Sequence, residues 1–182
     1  MTPAVSPDAE LDRDLRRAIR DIPDFPKPGI VFRDITGVLI DAPLFQRAID
    51  AMAAPHANAG VTHVVGIESR GFILGAPVAL RLGAGFVPMR KPGRLPSAVE
   101  RVEYALEYGV DALEVHRDAV HWGHCVLIVD DVLATGGTAK AACDLVALLG
   151  AKLAGCSFLI ELTALGGRQR LGGVPIHRIG AF

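Results

Sequence analysis

Two adjacent carboxylates, Asp130 and Asp131, precede a turn of small and hydroxylated residues, Thr135-Gly136-Gly137-Thr138. A helical pattern follows the turn, and the N–H groups and positive dipole end of a helix N-terminus favour phosphate. The acids would repel a phosphate, but they can accept hydrogen bonds from sugar hydroxyls, help to hold a magnesium hydration shell or stabilise a cation. A phosphorylated ribose has both a phosphate for the turn and hydroxyls for the acids. The plainer interpretation is a strand-end turn with solvated acids.

The elements that must position these residues alternate along the chain. Buried strands are predicted at Val61 to Ile67, Gly85 to Met89, Cys125 to Val129 and Leu153 to Leu162, with helices from Gly71 to Leu82 and from Thr138 to Leu149. This alternation is typical of an α/β protein whose parallel sheet is covered on both faces. Ligands of such sheets bind outside the carboxyl ends of the strands, where we expect Asp130 and Asp131.

Two more helices are predicted nearer the N-terminus. Ser6-Pro7 fits an N-cap and first helical residue, and an apolar face follows at helical spacing, formed by Leu11, Leu15, Ala18, Ile19 and Ile22. Three prolines between residues 23 and 28 end this helix and impose a stiff crossing. A second helix is predicted after Asp41-Ala42-Pro43, as far as about His56.

One long polar segment, from Lys91 to Asp118, interrupts the alternation. The pattern around Gly109 predicts a two-stranded excursion within it. A long polar insertion in a compact domain is more often a lid or a binding loop than filler. With 182 residues and no linker, the chain is expected to form one domain over residues 1–182.

Composition and charge exclude several classes of partner. The net charge of −1 gives no general attraction to nucleic acid or to an anionic membrane, so we expect neither as a partner. No apolar stretch approaches the roughly 20 residues of a membrane span, and the N-terminus lacks the features of a signal peptide. The three cysteines are widely spaced without a C-x-x-C pair, which favours buried thiols in a reducing compartment. We therefore expect a cytoplasmic protein.

Other motif patterns do not support a nucleotide or metal site. The turn matches neither G-x-x-x-x-G-K-[ST] nor G-x-G-x-x-G, and in "GIESRG" Phe72 stands where a P-loop requires lysine. His121 and His124 form an H-x-x-H pair around an apparent turn, without a third ligand nearby.

The stretch "VLIVDDVLATGGT" resembles the signature of the type I phosphoribosyltransferases, which bind 5-phosphoribosyl-1-pyrophosphate (PRPP). Five further stretches resemble, in this order, the adenine phosphoribosyltransferases of that family: "FPKPGIVFRDIT", "GIESRGFILG", "VPMRKPGRLP", "YALEYG" and "IELTALGGRQRL". They spread from Phe25 to Leu171, whereas the C-terminal "VPIHRIGAF" matches only loosely. The resemblance implies the type I phosphoribosyltransferase fold, a central parallel sheet flanked by helices. A small hood would come from about residues 1–34 and the C-terminal tail, and a flexible lid loop from about residues 91–118.

The resemblance also implies an activity, the joining of adenine to PRPP to give AMP and pyrophosphate, as in purine salvage. The 5′-phosphate would lie in the turn formed by Ala134, Thr135, Gly136, Gly137 and Thr138. Asp130 and Asp131 would hold the ribose hydroxyls. Mg²⁺ would arrive mainly with PRPP and water, without a direct protein ligand. A homodimer is implied as well.

The remaining roles rest on the same resemblance. Pyrophosphate would be bound by Ser69, Arg70, Arg90, Lys91, Arg94 and Tyr108, with a strained peptide at Glu68-Ser69. Adenine would be bound by Val31, Phe32, Arg33 and Val132. Glu107, on the lid loop, would serve the base as general acid/base or hydrogen-bond acceptor.

Two other functions stay open at this stage. A regulator of the same fold would bind PRPP or an RNA without chemistry, which the net charge and the basic and acidic residues of the implied site disfavour. A phosphoribosyltransferase for another purine base is disfavoured only by the motifs around Phe32 and Glu107. Pyrophosphate release with each nucleobase would separate these functions.

Overall fold

The computed structural model describes residues 7–106 and 109–182. In chain order these residues form α1 (Pro7–Ala18), β1 (Arg20–Pro23), β2 (Val31–Asp34), α2 (Thr36–Ile40), α3 (Ala42–Ala53), β3 (His63–Ile67), α4 (Arg70–Leu82), β4 (Gly85–Met89), β5 (Val99–Leu106), β6 (Gly109–His116), β7 (Cys125–Leu133), α5 (Gly137–Leu148), β8 (Lys152–Glu161), α6 (Gly167–Arg170) and β9 (Ile176–Ala181). Single 3₁₀ turns follow α3 at Ala54–His56 and β8 at Thr163–Leu165.

The central sheet has five parallel strands in the order β4-β3-β7-β8-β9. This arrangement confirms the predicted α/β class with a parallel sheet flanked by helices. The sheet has one strand more than predicted, since the C-terminal residues, to which no strand was assigned, pair with β8 from Cys156↔Ile176 to Glu161↔Ala181. The C-terminal segment therefore belongs to the main sheet.

Successive residues of the central strands enter two separate cores, because their side chains point alternately to opposite faces of the sheet. Val65 and Ile128 face α5 and the strands β5 and β6. Val64 and Leu127 face α1, α3 and α4. Both faces of the sheet are thus covered, and the carboxyl ends of its strands form the edge at which polar residues collect.

The strand that carries the two acids is longer than predicted. The apolar run predicted an end at Val129, but β7 continues through Leu133, and Asp130 pairs with Phe158 of β8 within the ladder. Asp130 and Asp131 therefore lie in the last part of a strand rather than beyond it. Their backbone is held by the sheet, which fixes the directions of the two carboxylates.

Near the N-terminus the structure corrects one boundary and adds one element. α1 ends at Ala18, so Ile22, expected on the helical face, lies in β1 instead, where it pairs with Phe32 of β2. Ser6 lies outside the described residues. The predicted second helix is α3, whose first turn is capped by the Asp41 carboxylate accepting a hydrogen bond from the Leu44 N–H at 3.0 Å. The short helix α2 was not predicted.

The polar insertion forms the expected two-stranded element. β5 and β6 pair antiparallel from Val99↔His116 to Leu106↔Gly109. Leu113 and Val115 of β6 are fully buried in the core shared with α5, so the hairpin packs on the main body. Residues 107 and 108, which connect the strands, lie outside the described residues.

Candidate active site

A cleft of about 1030 Å³ opens at the carboxyl end of the central sheet. Five parts of the chain and its last residue line it: residues 27–33 except Pro28, residues 68–70, Lys91, residues 130–139, three residues after β8 (Leu162, Ala164 and Leu165), and Phe182. These segments are far apart in sequence and meet because parallel strands end at the same edge of the sheet.

The glycine turn stands at the N-terminus of α5 in a conformation that requires its first glycine. Gly136 has a φ of +80°, in the left-handed region that other residues adopt only at a cost. A Cβ at this position would lie 2.5 Å from the Gly167 carbonyl oxygen. The turn is therefore packed against the backbone at the start of α6, and its other side lines the cleft. Its N–H groups and the α5 dipole suit a phosphate.

The two acids lie between this turn and the start of α4. The Asp131 N–H donates to Asp130 Oδ1 at 2.9 Å. Arg70 Nε lies 2.6 Å from Asp131 Oδ2, an ion pair that does not have hydrogen-bond geometry. The Asp131 side chain is only 5% exposed and Asp130 is half-buried, and both line the cleft.

Both carboxyls have raised pKa values. Burial raises the pKa of Asp130 well above its ordinary value, and the like charge of Asp131 adds to the effect. Burial also raises the pKa of Asp131, although the Arg70 guanidinium opposes this rise. Because the carboxyls are neighbours, the pair is expected to hold a proton at a pH at which isolated carboxyls are ionised. A cation or hydrogen-bond donor in the cleft would favour ionisation of both.

Arg70, the first residue of α4, connects the acids to an aromatic ring. Its guanidinium carbon lies 4.6 Å from the centre of the Phe32 ring, in cation–π contact, while its Nε pairs with Asp131. The next residue is Gly71, where a Cβ would lie 2.9 Å from Asp130 Oδ1, so α4 can start this close to β7 only with glycine. The Glu68–Ser69 peptide bond, at the position where the resemblance predicts strain, is cis.

Glu68 forms hydrogen bonds with three basic residues that follow β4. Its carboxylate accepts hydrogen bonds from the Lys91 N–H at 2.9 Å, from Arg90 at 3.3 Å and from Arg94. Burial opposes ionisation, but these bonds lower the pKa of Glu68. Arg90 and Arg94 are thus held by Glu68, and neither lies among the described residues that line the cleft, whereas Lys91 does.

The far side of the cleft is more apolar. Phe32 packs edge-on against Phe25, with ring centres 5.2 Å apart. The Arg33 guanidinium lies 5.4 Å from the centre of the ring of Phe182, the last residue. Val132 of β7 also lines the cleft. A flat aromatic ligand therefore has apolar contacts here, next to the Arg70 guanidinium on the Phe32 ring.

The sequence has close relatives with the same architecture. A family model described as phosphoribosyl transferase domain matches residues 38–170. The adenine phosphoribosyltransferase of Myxococcus xanthus is 60% identical over 167 residues, which cover 91% of this chain and 90% of that protein. The chain belongs to the adenine phosphoribosyltransferase family.

Solved structures of the family agree with this membership. The adenine phosphoribosyltransferase of Rhodothermus marinus is 52% identical, with a TM-score of 0.92 over 96% of this chain and 99% of that one. That of Saccharomyces cerevisiae, solved with D-2,5-dideoxy-2,5-imino-altritol 1,6-bisphosphate and adenine, is 40% identical, with a TM-score of 0.88 over 94% of this chain and 99% of that one. The resemblance and the fold expected from the sequence are confirmed.

Most of the residues that the family resemblance selected come together in the cleft. They are Val31, Phe32, Arg33, Ser69, Arg70, Lys91, Asp130, Asp131, Val132 and the five turn residues from Ala134 to Thr138. Glu107 and Tyr108 lie outside the described residues. Their roles in the adenine phosphoribosyltransferase reaction stay predictions.

Sequence reasoning assigned no binding role to two groups of cleft residues, nor to Glu68, Leu133, Ala139 and Phe182. Lys27, Gly29 and Ile30 belong to the family stretch that contains Phe32, and Leu162, Ala164 and Leu165 belong to the stretch that follows β8. Both stretches supported the resemblance, so their positions were a signal that could have identified these residues. Phe182 had no such signal, because its place depends on the pairing of β9.

The described residues contain no cluster of three or more His, Cys, Asp or Glu side chains that could hold a metal ion. The rings of His121 and His124 have centres 3.8 Å apart and are tilted by 37°, and His124 Nδ1 accepts a hydrogen bond from the His121 backbone N–H at 3.3 Å. No described helix has the length and apolarity needed to cross a membrane.

Proposed function

We propose that this protein is an adenine phosphoribosyltransferase, a pentosyltransferase that converts adenine and PRPP to AMP and pyrophosphate. The observation that carries the proposal is the arrangement of the cleft. A glycine turn at the start of α5, two adjacent carboxylates and an arginine at the start of α4 line the same cleft. PRPP has a phosphate, a ribose diol and a pyrophosphate in a matching order.

The turn would bind the phosphate of PRPP, and the two acids would bind its ribose. Backbone N–H groups of residues 134–138 and the Thr138 hydroxyl would donate to the 5′-phosphate. Asp130 and Asp131 would accept hydrogen bonds from the ribose hydroxyls. Loss of pyrophosphate gives the ribose oxocarbenium character, and buried carboxylates in fixed positions favour that charge. The raised pKa values of the pair support such a role, because functional carboxyls are often held in surroundings that perturb them.

Arg70 and Ser69 would receive the leaving pyrophosphate. A guanidinium can donate two parallel hydrogen bonds to phosphate oxygens. To do so Arg70 has to leave the Phe32 ring and Asp131, its present contacts. The same movement would clear the ring for adenine, so PRPP binding would prepare the base site. Lys91 would add charge, and Arg90, Arg94 and Tyr108 would join through closure of the lid.

The base would lie against Phe32 and Val132, with backbone groups of Val31 and Arg33 reading its edge. Adenine attacks the anomeric carbon through a ring nitrogen, and a proton has to move on the purine. We assign that proton transfer to Glu107, on the strength of the family resemblance. In the apolar part of the cleft a single carboxylate would discriminate strongly between purine edges.

Mg²⁺ is expected to accompany PRPP. It is a hard cation that prefers oxygen ligands, and the oxygen donors of Asp130 and Asp131 face a cleft that would also contain phosphate oxygens. When bound it would neutralise the pyrophosphate charge. These residues fit an outer hydration shell better than a dedicated cage, since one of the acids already pairs with Arg70.

A homodimer and a cytoplasmic location complete the proposal. Ile73 and Leu80 are spaced on one face of α4 and are 45% and 83% exposed, beside the edge strand β4, so an apolar surface is available for a second copy. Light scattering of the purified protein would show one protomer mass if this assembly is wrong. All three cysteines are free and buried, as suits a reducing compartment.

The activity is tested by incubating the purified protein with PRPP, Mg²⁺ and each nucleobase in turn, and measuring pyrophosphate release. Rapid release with adenine, together with formation of AMP, is expected. Turnover of another purine but not adenine would contradict the assignment of the base. Tight PRPP binding without turnover of any base would instead identify a regulator.

A further inference from the structure

The two strands of the hairpin carry a polar pair that contacts Lys91, a residue that lines the cleft. Tyr104 of β5 and Asp111 of β6 are directly opposite each other in the antiparallel register. Opposite residues of such a ladder point to the same side and interact closely. The Tyr104 hydroxyl donates to Asp111 Oδ2 at 3.2 Å, so the pair is joined.

Lys91 reaches this pair from the segment after β4. Its ammonium donates to the Tyr104 hydroxyl at 2.8 Å and to the Asp111 carboxylate. The side chains of Lys91 and Asp111 are 33% and 28% exposed, so the ion pair is partly shielded from water. An ammonium has three N–H donors, and Lys91 also lines the cleft, so a further donor can serve a bound anion.

The backbone of Lys91 is fixed as firmly as its ammonium. Its N–H donates to Glu68 Oε2 at 2.9 Å, and the neighbouring Arg90 exchanges backbone hydrogen bonds with Glu114 at 2.8 and 2.9 Å. Gly93 N–H donates to the buried Glu114 carboxylate at 2.9 Å. The lysine is therefore restrained at both ends of its side chain, which reduces the entropy lost when it binds a ligand.

Tyr104 also contacts the turn at the start of α5. The Thr138 hydroxyl donates to the Tyr104 oxygen at 3.4 Å. When Thr138 donates to a phosphate instead, the Tyr104 O–H can turn to donate to Thr138, since Asp111 keeps its bond from Lys91. One phenol oxygen thus contacts both the Lys91 ammonium and the Thr138 hydroxyl, two groups of residues that line the cleft. Burial lowers the pKa of Lys91, but its bonds to Asp111 and Tyr104 outweigh burial and raise it, so the ammonium stays charged.

We propose that Tyr104 and Asp111 are positioning residues for PRPP: Asp111 holds the Lys91 ammonium at the pyrophosphate side of the cleft, and Tyr104 connects that ammonium to Thr138 of the phosphate turn. The inference rests on the proposed function, because it takes PRPP as the ligand. It gives the described strands of the hairpin a role in ligand binding.

Substitutions of Asp111 and Tyr104 are expected to weaken the binding of different ligands. Asp111→Asn removes the charge that holds Lys91, so inorganic pyrophosphate should bind about three- to tenfold more weakly, since one side chain loses its pre-organisation. Ribose 5-phosphate should bind as in the wild type. Tyr104→Phe removes the oxygen that contacts both sides, so both ligands should bind more weakly.

The experiment measures the affinities of pyrophosphate and ribose 5-phosphate by calorimetry, with Mg²⁺, for the wild type and each variant. Arg101→Gln is the matched control, because it breaks the exposed Arg101–Glu103 pair of the same hairpin, and both affinities should stay unchanged. Melting temperatures separate lost positioning from lost folding, since a merely unstable hairpin would affect both ligands equally in Asp111→Asn.

Tighter pyrophosphate binding by Asp111→Asn would overturn the inference, because it would mean that Asp111 competes with the ligand for Lys91. Unchanged affinities in both variants, or equal losses for both ligands in Asp111→Asn, would overturn it too. The proposed function fails separately. If the variants show the expected losses of affinity but the wild type forms no AMP from adenine, the activity is refuted and the positioning roles stand.

Discussion

Replacing Gly136 by alanine tests whether the turn before α5 is held in a binding conformation by its contact with α6. The new Cβ would lie 2.5 Å from the Gly167 carbonyl oxygen and 3.1 Å from its carbon atoms, all of them backbone. No side chain can rotate away, so one of the two turns has to move by roughly 0.5–1 Å to restore van der Waals contact. The residue would also keep a φ of +80°, which costs alanine about 1–2 kcal/mol.

Stability and ligand binding should both respond to this change. Overpacking of about 1–3 kcal/mol adds to the backbone cost, so the free energy of unfolding should fall by about 2–5 kcal/mol. A turn displaced by this distance loses at least one N–H to the 5′-phosphate, worth about 1.5–3 kcal/mol for a charged acceptor. PRPP should therefore bind roughly 10- to 100-fold more weakly.

Gly83 provides the control, because it has the same kind of backbone without the contact. Its φ is +65° at the end of α4, and a Cβ there would meet nothing within 4 Å. Gly83→Ala should lower the unfolding free energy by about 1–2 kcal/mol and leave PRPP affinity unchanged. Calorimetric titration with PRPP and Mg²⁺, together with thermal melts, measures both effects. Wild-type PRPP affinity in Gly136→Ala, or an equal loss in Gly83→Ala, would refute the reasoning.

Three other predictions concern single side chains. Glu107→Ala should lower turnover by about 10²–10⁴-fold with PRPP affinity largely kept, and unchanged steady-state turnover would remove Glu107 from the proton transfer. Thr138→Val should weaken PRPP binding by about 1–3 kcal/mol in the same titration, and equal affinity would contradict its role in the turn. Burial, with a smaller contribution from His177, lowers the pKa of His56, so the unfolded state binds more protons and stability should fall as the pH drops through about 6.5. His56→Gln should lose less melting temperature than the wild type between pH 7.5 and about 5.5, and parallel curves would assign the acid sensitivity to other groups.

Local patterns were sufficient for most elements of the fold. The strand β4 begins and ends where its apolar run does, and α4 and α5 each begin one residue before their predicted starts. These elements are determined by periodicity and by residues at their ends, which are properties of neighbouring positions. The predicted end of a strand was wrong where strand pairing, rather than the local apolar pattern, sets that end. β7 continues through two acids because β8 lies beside it, and the apolar run could not indicate that.

The same distinction applies to the candidate site. The glycine turn, the paired acids and Arg70 could be chosen from sequence, because the chemistry of phosphate, diol and pyrophosphate recognition requires these residue types in short stretches. The contacts of Arg90 and Arg94 could not be predicted, since both side chains pair with Glu68, a residue more than twenty positions earlier in the chain. The resemblance assigned both to pyrophosphate, and the structure shows them held by one buried carboxylate.

The sequence by itself thus determined the family, the residues of the glycine turn and the order of the elements, since each is written in contiguous residues. Only the tertiary structure decided which distant side chains meet: Phe182 beside Arg33 and Lys91 between Tyr104 and Asp111. The physical reason is that such contacts depend on how strands pair and helices pack. A carboxylate or an aromatic ring has the same local sequence signature whichever partner the fold brings to it.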